Sequence, residues 1–225
     1  MRSLLFALSL TVSFNAFSAL TFTADVPEAV KKQVLSDLKL IDSVKASATT
    51  PLHKSIFGEV SGANYTKFFE ARMNKVGMGC GGGSAVACVK PFVSNTTMFL
   101  TENYIKFSHP AIARLMVVFH EARHGEKQNR NWRHAICPNP FLDENGKEIK
   151  SIWTGSTLAG EDACDSSPLG SYGSSTIMLK NIAKFCTNCN QKMKLDADIY
   201  AQDQLKRISN PVAKQEMLVD FQARK

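Results

Sequence analysis

The stretch that most narrows what this chain can fold into is SHPAIARLMVVFHEARHGE, residues 108–126. Ser108 as cap and Pro110 in the first turn mark a helix start, and Ile112, Leu115, Met116 and Phe119 recur at the spacing of a buried stripe. Ile112, Met116, His120 and His124 share one i, i+4 line, so both histidines leave the helix beside its core face. Residues four apart on one face lie about 5–6 Å from each other. Two imidazoles can then take neighbouring corners of a tetrahedral zinc site, with metal–nitrogen bonds of about 2.0–2.1 Å. Glu121, one residue round from His120, can stand beside such a metal without ligating it. With five histidines in the chain, composition predicts roughly 0.005 accidental His-Glu-x-x-His matches. Chance is a poor account of the motif.

The compartment is read from the two other marked features of the chain. MRSLLFALSLTVSFNAFSA carries one positive charge at Arg2, an apolar run from Leu4 to Phe17, and small residues at Ala16, Ser18 and Ala19. This pattern predicts a signal peptide over 1–18, cleaved after Ser18, and one exported domain over 19–225, periplasmic or secreted. The run is too short for an anchor, and no other segment approaches the ~20 apolar residues that span a bilayer. All six cysteines fall after that leader. An even count in an exported chain reads as disulfides. The simplest pairing is nearest-neighbour: Cys80–Cys88, Cys137–Cys164 and Cys186–Cys189. A zinc ribbon on CTNC would need a second such pair, and CGGGSAVAC does not supply it. The net charge of +7 suits acidic surfaces such as cell-wall polymer. Without a Lys/Arg block or aromatic–basic alternation, it gives no case for a nucleic-acid partner.

Along the chain, Val30, Val34, Leu38, Ile41 and Val44 predict a helix within 26–48, and residues 64–76 a second. Residues 96–107 are β-branched and aromatic and read as one strand or two short ones. The segment 127–170 is polar and irregular, with a hairpin turn at Asn145-Gly146. Helical patterns close the chain at about 174–185, 192–208 and 212–223. Together these predict an α+β fold: a small sheet, an active-site helix and a helix-rich C-terminal half. His53 and His109 read as surface and capping residues. Arg123 and Glu126 read as residues that pair on the helix or with neighbouring acids, and Trp132 and Trp153 as groove or core residues.

HEARH on a helix that follows an edge-like strand resembles the active-site helix of zincin metallopeptidases. The order of HEARH, His-x-x-Cys-Pro, Cys-Asp and Gly-x-Tyr-Gly is also similar to that in a group of exported bacterial zincin-like proteins. The resemblance implies a zincin-like fold, Zn2+ held by His120 and His124, a zinc-bound water as nucleophile, and Glu121 as general base and later proton donor. It implies a peptide amide as substrate, from a polypeptide or the peptide part of a cell-wall polymer. A catalytic zinc takes a third protein ligand and leaves one position open. The metzincin spacing would place that ligand at position 130, which is Arg130; His134 comes ten residues after His124. A looped-out GEKQNRNWR would bring it back. The rival is GEDACDSSPLGSYG, which loosely resembles the aspzincin element, with Asp165 as ligand and Tyr172 as an oxyanion-stabilising hydroxyl. Glu161 and Asp162 are weaker carboxylate candidates.

Two other readings stand beside the peptidase. A non-catalytic binding protein would close its metal with four ligands, such as His120, His124, His134 and Asp165. A zinc hydrolase cutting an acyl or glycan bond would use the same residues as the peptidase. The sequence carries no signal for substrate preference or oligomeric state.

Overall fold

The computed structural model describes residues 20–81, 83–106 and 108–223; the expected leader at 1–18 lies outside them. Helix α1 (Glu28–Asp42) buries the stripe Val30, Val34, Leu38 and Ile41. Helix α2 (Pro51–Phe57) follows, with the Thr50 side chain as cap and Pro51 in the first turn, where a missing N–H costs nothing. This helix was not foreseen, although both signals stand in the sequence.

Strands β1 (Thr21–Phe22), β2 (Lys75–Met78), β3 (Ala87–Lys90) and β4 (Ser94–Leu100) form one sheet in the order β1-β2-β4-β3. The first three neighbours run parallel, and β3 is an antiparallel edge strand paired with β4, Cys88 opposite Phe99. The expected helix over 64–76 is helix α3 (Gly62–Glu70) only. Beyond it the chain is drawn into the sheet, where the Asn74 carbonyl accepts from the Thr21 amide and the Asn74 amide donates to Thr96. Ladder bonds here override local helical patterning. The expected strand over 96–107 stops at Leu100. Thr101 accepts from the Asn103 amide and opens the short helix α4 (Glu102–Lys106).

Helix α5 (Ala111–His124) begins one residue past Pro110, and Ser108 makes no cap to it. It is buried on nearly every face from Ile112 to Arg123, not along one stripe alone. It sits between β3 and β4 on one side and helices α6 (Ser171–Phe185) and α7 (Gln191–Leu205) on the other. Helix α8 (Pro211–Gln222) closes the chain against α6, capped by Asn210. The α+β class is thus confirmed, with the three C-terminal helices where the periodicity put them. The long segment between α5 and α6 has its own small core of Phe141, Ile149, Leu158 and the Cys137–Cys164 disulfide. Its hairpin turns where expected: the Asp143 amide donates to Lys147, and Gly146 takes a φ of 73°. All three nearest-neighbour disulfides form, which fits an oxidising environment outside the cytosol. No helix among the described residues is long and apolar enough to cross a membrane.

His53 is not a surface residue; it is 0 % exposed. Its Nδ1 donates to the Gly58 carbonyl at 2.9 Å, and its Nε2 accepts from the Tyr65 hydroxyl at 2.7 Å. That pairing suits a neutral ring, and burial pushes its pKa down to about 4 from 6.5. As pH falls, the unfolded chain therefore takes up a proton before the folded one does. The His53 contribution is constant above pH 6.5, declines between 6.5 and about 4, and levels off below that, a total loss of about 3 kcal/mol. Urea unfolding should show the advantage of wild type over His53→Gln shrinking from pH 7 to pH 4.5. A difference that stays constant with pH would show that the ring takes up its proton as readily in the fold as in the unfolded chain.

Candidate metal centre

Three imidazoles converge at the end of α5. His120, His124 and His134 bring their Nε2 atoms to 3.2 Å from one another on all three sides of a triangle. Three nitrogens bound to one tetrahedral zinc at about 2.0–2.1 Å would stand roughly 3.3 Å apart, so the triangle has the required size. The other ring nitrogens fix the tautomers of two of them. His124 Nδ1 donates to the Asn131 carbonyl at 2.7 Å, with the Ser171 hydroxyl at 3.2 Å. His134 Nδ1 donates to Asp165 Oδ1 at 3.0 Å. Both Nε2 atoms are therefore lone-pair acceptors, and two acceptors cannot hydrogen-bond to each other. The three nitrogens are placed as a group that could hold a cation between them. Burial holds His120 well below an ordinary histidine and His124 down to about 4, with neighbouring imidazoles adding to the effect. His120 and His124 are thus held neutral, the form a metal-binding imidazole takes.

The loop that follows the helix positions the third ring. Residues 127–132 turn tightly, with left-handed φ of 52°, 57° and 45° at Arg130, Asn131 and Trp132. Such angles are uncommon for side-chain-bearing residues and cost energy unless the surroundings enforce them. Asn131 Nδ2 donates to the His124 carbonyl at 2.7 Å and to Asn95 at 2.8 Å. Trp132 Nε1 donates to Glu126 at 2.7 Å. Glu126 also receives Arg123 at 2.6 Å and Arg72, so the expected pairing of Arg123 with Glu126 forms and is largely buried. Beyond the turn, β5 (Ala135–Ile136) pairs antiparallel with β6 (Asp162–Cys164), Ala135 opposite Cys164. This short ladder and the Cys137–Cys164 bond carry His134 to the other two imidazoles and set Asp165 behind it.

Asp165 does not join the triangle. Its Oδ1 holds His134, and its Oδ2 accepts from the Tyr172 and Gly173 amides at 2.7 and 3.2 Å. It therefore orients the ligand and caps the start of α6 together. Glu161 and Asp162 are exposed residues on the rim of the cleft. Tyr172 packs its ring against His120 and His134, with centroids 4.4 and 4.6 Å away, and its hydroxyl accepts from Arg207 Nη1 at 2.9 Å.

Glu121 is 4 % exposed, and its Oε2 is buried without a hydrogen-bond partner. Burial pushes its pKa up to about 8, opposed by the Val89 amide of the edge strand. The triad and Glu121 open onto a cleft of about 1130 Å³, walled by Ala87 and Val89 of β3 on one side and Trp153 on the other. Trp153 does both jobs foreseen for it, since it also stacks on His109 within the core. Asn131, Ser171 and Arg207 were not singled out from sequence. No periodicity or motif marks them, because each acts through a contact made only after folding.

No family model, no curated protein and no solved structure matches this chain. Its chemistry rests on the site itself: a group of three histidines that could hold a metal ion.

Removing the charge behind His134 should loosen that hold. Asp165→Asn is expected to weaken metal binding by about 10- to 100-fold in competition with a chromogenic chelator, while the fold survives. Gly170→Ala should act in the same direction, because its Cβ would lie 2.3 Å from Asp165 Oδ2. Unchanged affinity in both variants would remove Asp165 from the metal centre.

Proposed function

We propose that this chain is a zinc-dependent peptidase of zincin type that works outside the cytosol and cuts an extended peptide laid along β3. The observation that carries this reading is the triangle of Nε2 lone pairs beside a buried, half-unpartnered Glu121. A set of three nitrogens at tetrahedral spacing suits Zn2+. The donor set also favours catalysis over a closed structural site, since both oxygens of Asp165 are committed elsewhere and three ligands, not four, converge.

Bound zinc would supply Lewis acidity, lowering the pKa of water and polarising a carbonyl. The chain's own groups do the rest. Glu121, next to His120 and lining the cleft, takes the proton of the attacking water and returns it to the departing amine. Tyr172 receives a hydrogen bond from Arg207 and keeps its own proton to donate to the developing oxyanion. Strand β3 is at the sheet edge and lines the cleft, so its unpaired edge would offer backbone groups for pairing with an added strand. That edge favours a peptide over an acyl or glycan substrate.

Zinc-loaded protein should release new amino termini from casein or from cell-wall peptides. Chelation should stop the reaction and zinc restore it. Glu121→Gln should hold zinc at wild-type stoichiometry and lose about 10²- to 10⁴-fold in turnover. His134→Ala should lose the zinc itself. Turnover by Glu121→Gln at the wild-type rate would remove Glu121 from the mechanism, and no zinc-dependent release of amino termini from either substrate would rule the peptidase out.

A further inference from the structure

Arg207, two residues past the end of α7, is 6 % exposed and yet lines the cleft. Its hydrogen bonds leave from Nη1 alone: to the Tyr172 hydroxyl at 2.9 Å and to the Ala163 carbonyl at 3.5 Å. Its Nε is buried with no hydrogen-bond partner. The other arginines of the interior each hold a carboxylate. Arg114 takes Asp37 at 2.6 Å, and Arg123 and Arg72 share Glu126. Among the described residues Arg207 forms no such ion pair. Asp203, one helical turn earlier, feels its charge without pairing to it.

An unpaired guanidinium is expensive to bury, since its hydration is lost and nothing inside the protein replaces it. The Nε and Nη2 side of the group is also the planar fork that receives both oxygens of a carboxylate. Its location selects the ligand. The guanidinium lies 4.6 Å from the Tyr172 ring, and that ring in turn packs on His120 and His134. One aromatic ring therefore separates Arg207 from the metal triad. A peptide held across the triad would bring a neighbouring substituent to it.

We propose that Arg207 is a specificity-determining residue that binds a substrate carboxylate, so that the cleft prefers acidic peptides. The carboxylate is either the free end of the chain or an Asp or Glu side chain next to the scissile bond. This inference rests on the peptidase reading for its orientation, and its test separates the two.

Three fluorescein-labelled, alanine-rich octapeptides serve as probes. One is neutral, with a central Gln and an amidated end. The second has the same sequence with a free C-terminal carboxylate. The third is amidated with Glu in place of the Gln. Binding is read by fluorescence anisotropy on the zinc-loaded Glu121→Gln protein, which leaves the peptides uncut. One carboxylate peptide is expected to bind at least tenfold tighter than the neutral one, and which one identifies the source. Adding Arg207→Met should abolish the preference with zinc content unchanged. Adding Arg207→Lys, which keeps the charge but lacks the fork, should retain part of it and guards against loss of fold.

Equal binding of the three peptides, a preference that survives Arg207→Met, or no saturable binding of any of them would overturn the proposal. If wild type cuts the peptides without preference, the carboxylate site falls and the peptidase stands. If acidic peptides bind selectively and wild type cuts none, the peptidase falls and the carboxylate site stands.

Discussion

A helix buried on nearly every face can carry ionisable residues in its last two turns only at a cost that partners must offset. Helix α5 carries four: His120, Glu121, Arg123 and His124. Desolvation of an unpaired charge or an unmet donor costs more than the surrounding apolar contacts return. Arg123 is met by Glu126 and by the Leu169 carbonyl at 2.9 Å. His124 is met by Asn131 and Ser171. His120 and Glu121 line the cleft, and Glu121 Oε2 is left without a hydrogen-bond partner. The chemistry of the site follows from this division. Arg123 is held away from the cleft by its partners, while His120, Glu121 and the Nε2 of His124 are left to the cleft side.

The irregular segment between α5 and α6 makes that division possible. It would be a poor support if it were only long, because an unstructured loop spreads its residues over many conformations. Three devices hold it. The left-handed turn at Arg130–Trp132 is pinned by Asn131 and by Trp132 on Glu126. The Cys137–Cys164 disulfide closes a loop of separation 27, an effect of about 3–4 kcal/mol on the unfolded chain. Phe141, Ile149 and Leu158 bury their side chains around it. Asp165 then connects this segment to the start of α6 through the amides of Tyr172 and Gly173.

Much of the fold can be read without coordinates where one rule acts over a few residues. The stripe of α1, the caps and prolines of α8 and the Asn145-Gly146 turn are of this kind. The reading fails where distant pairing intervenes. Residues 71–76 leave their helical pattern because β1 and β4 supply ladder bonds to Asn74. His53 enters the interior because Gly58 and Tyr65 satisfy both ring nitrogens. Arg72, from beyond α3, joins the expected pair of Arg123 and Glu126.

The candidate site divides along the same line. The spacing of His120 and His124, with Glu121 beside them, is dictated by helix geometry, and any fold that kept the helix would keep that pair. The sequence also narrowed the third partner to His134 or Asp165, without choosing. That choice belongs to tertiary structure. Asp165 lies 31 residues from His134, and its role depends on where a disulfide, a two-residue strand and the first turn of α6 meet. Arg207 is decided there too, since nothing in its neighbours along the chain says that it will be buried without a carboxylate. Local spacing fixes which groups can share a face; long-range packing fixes which of them meet.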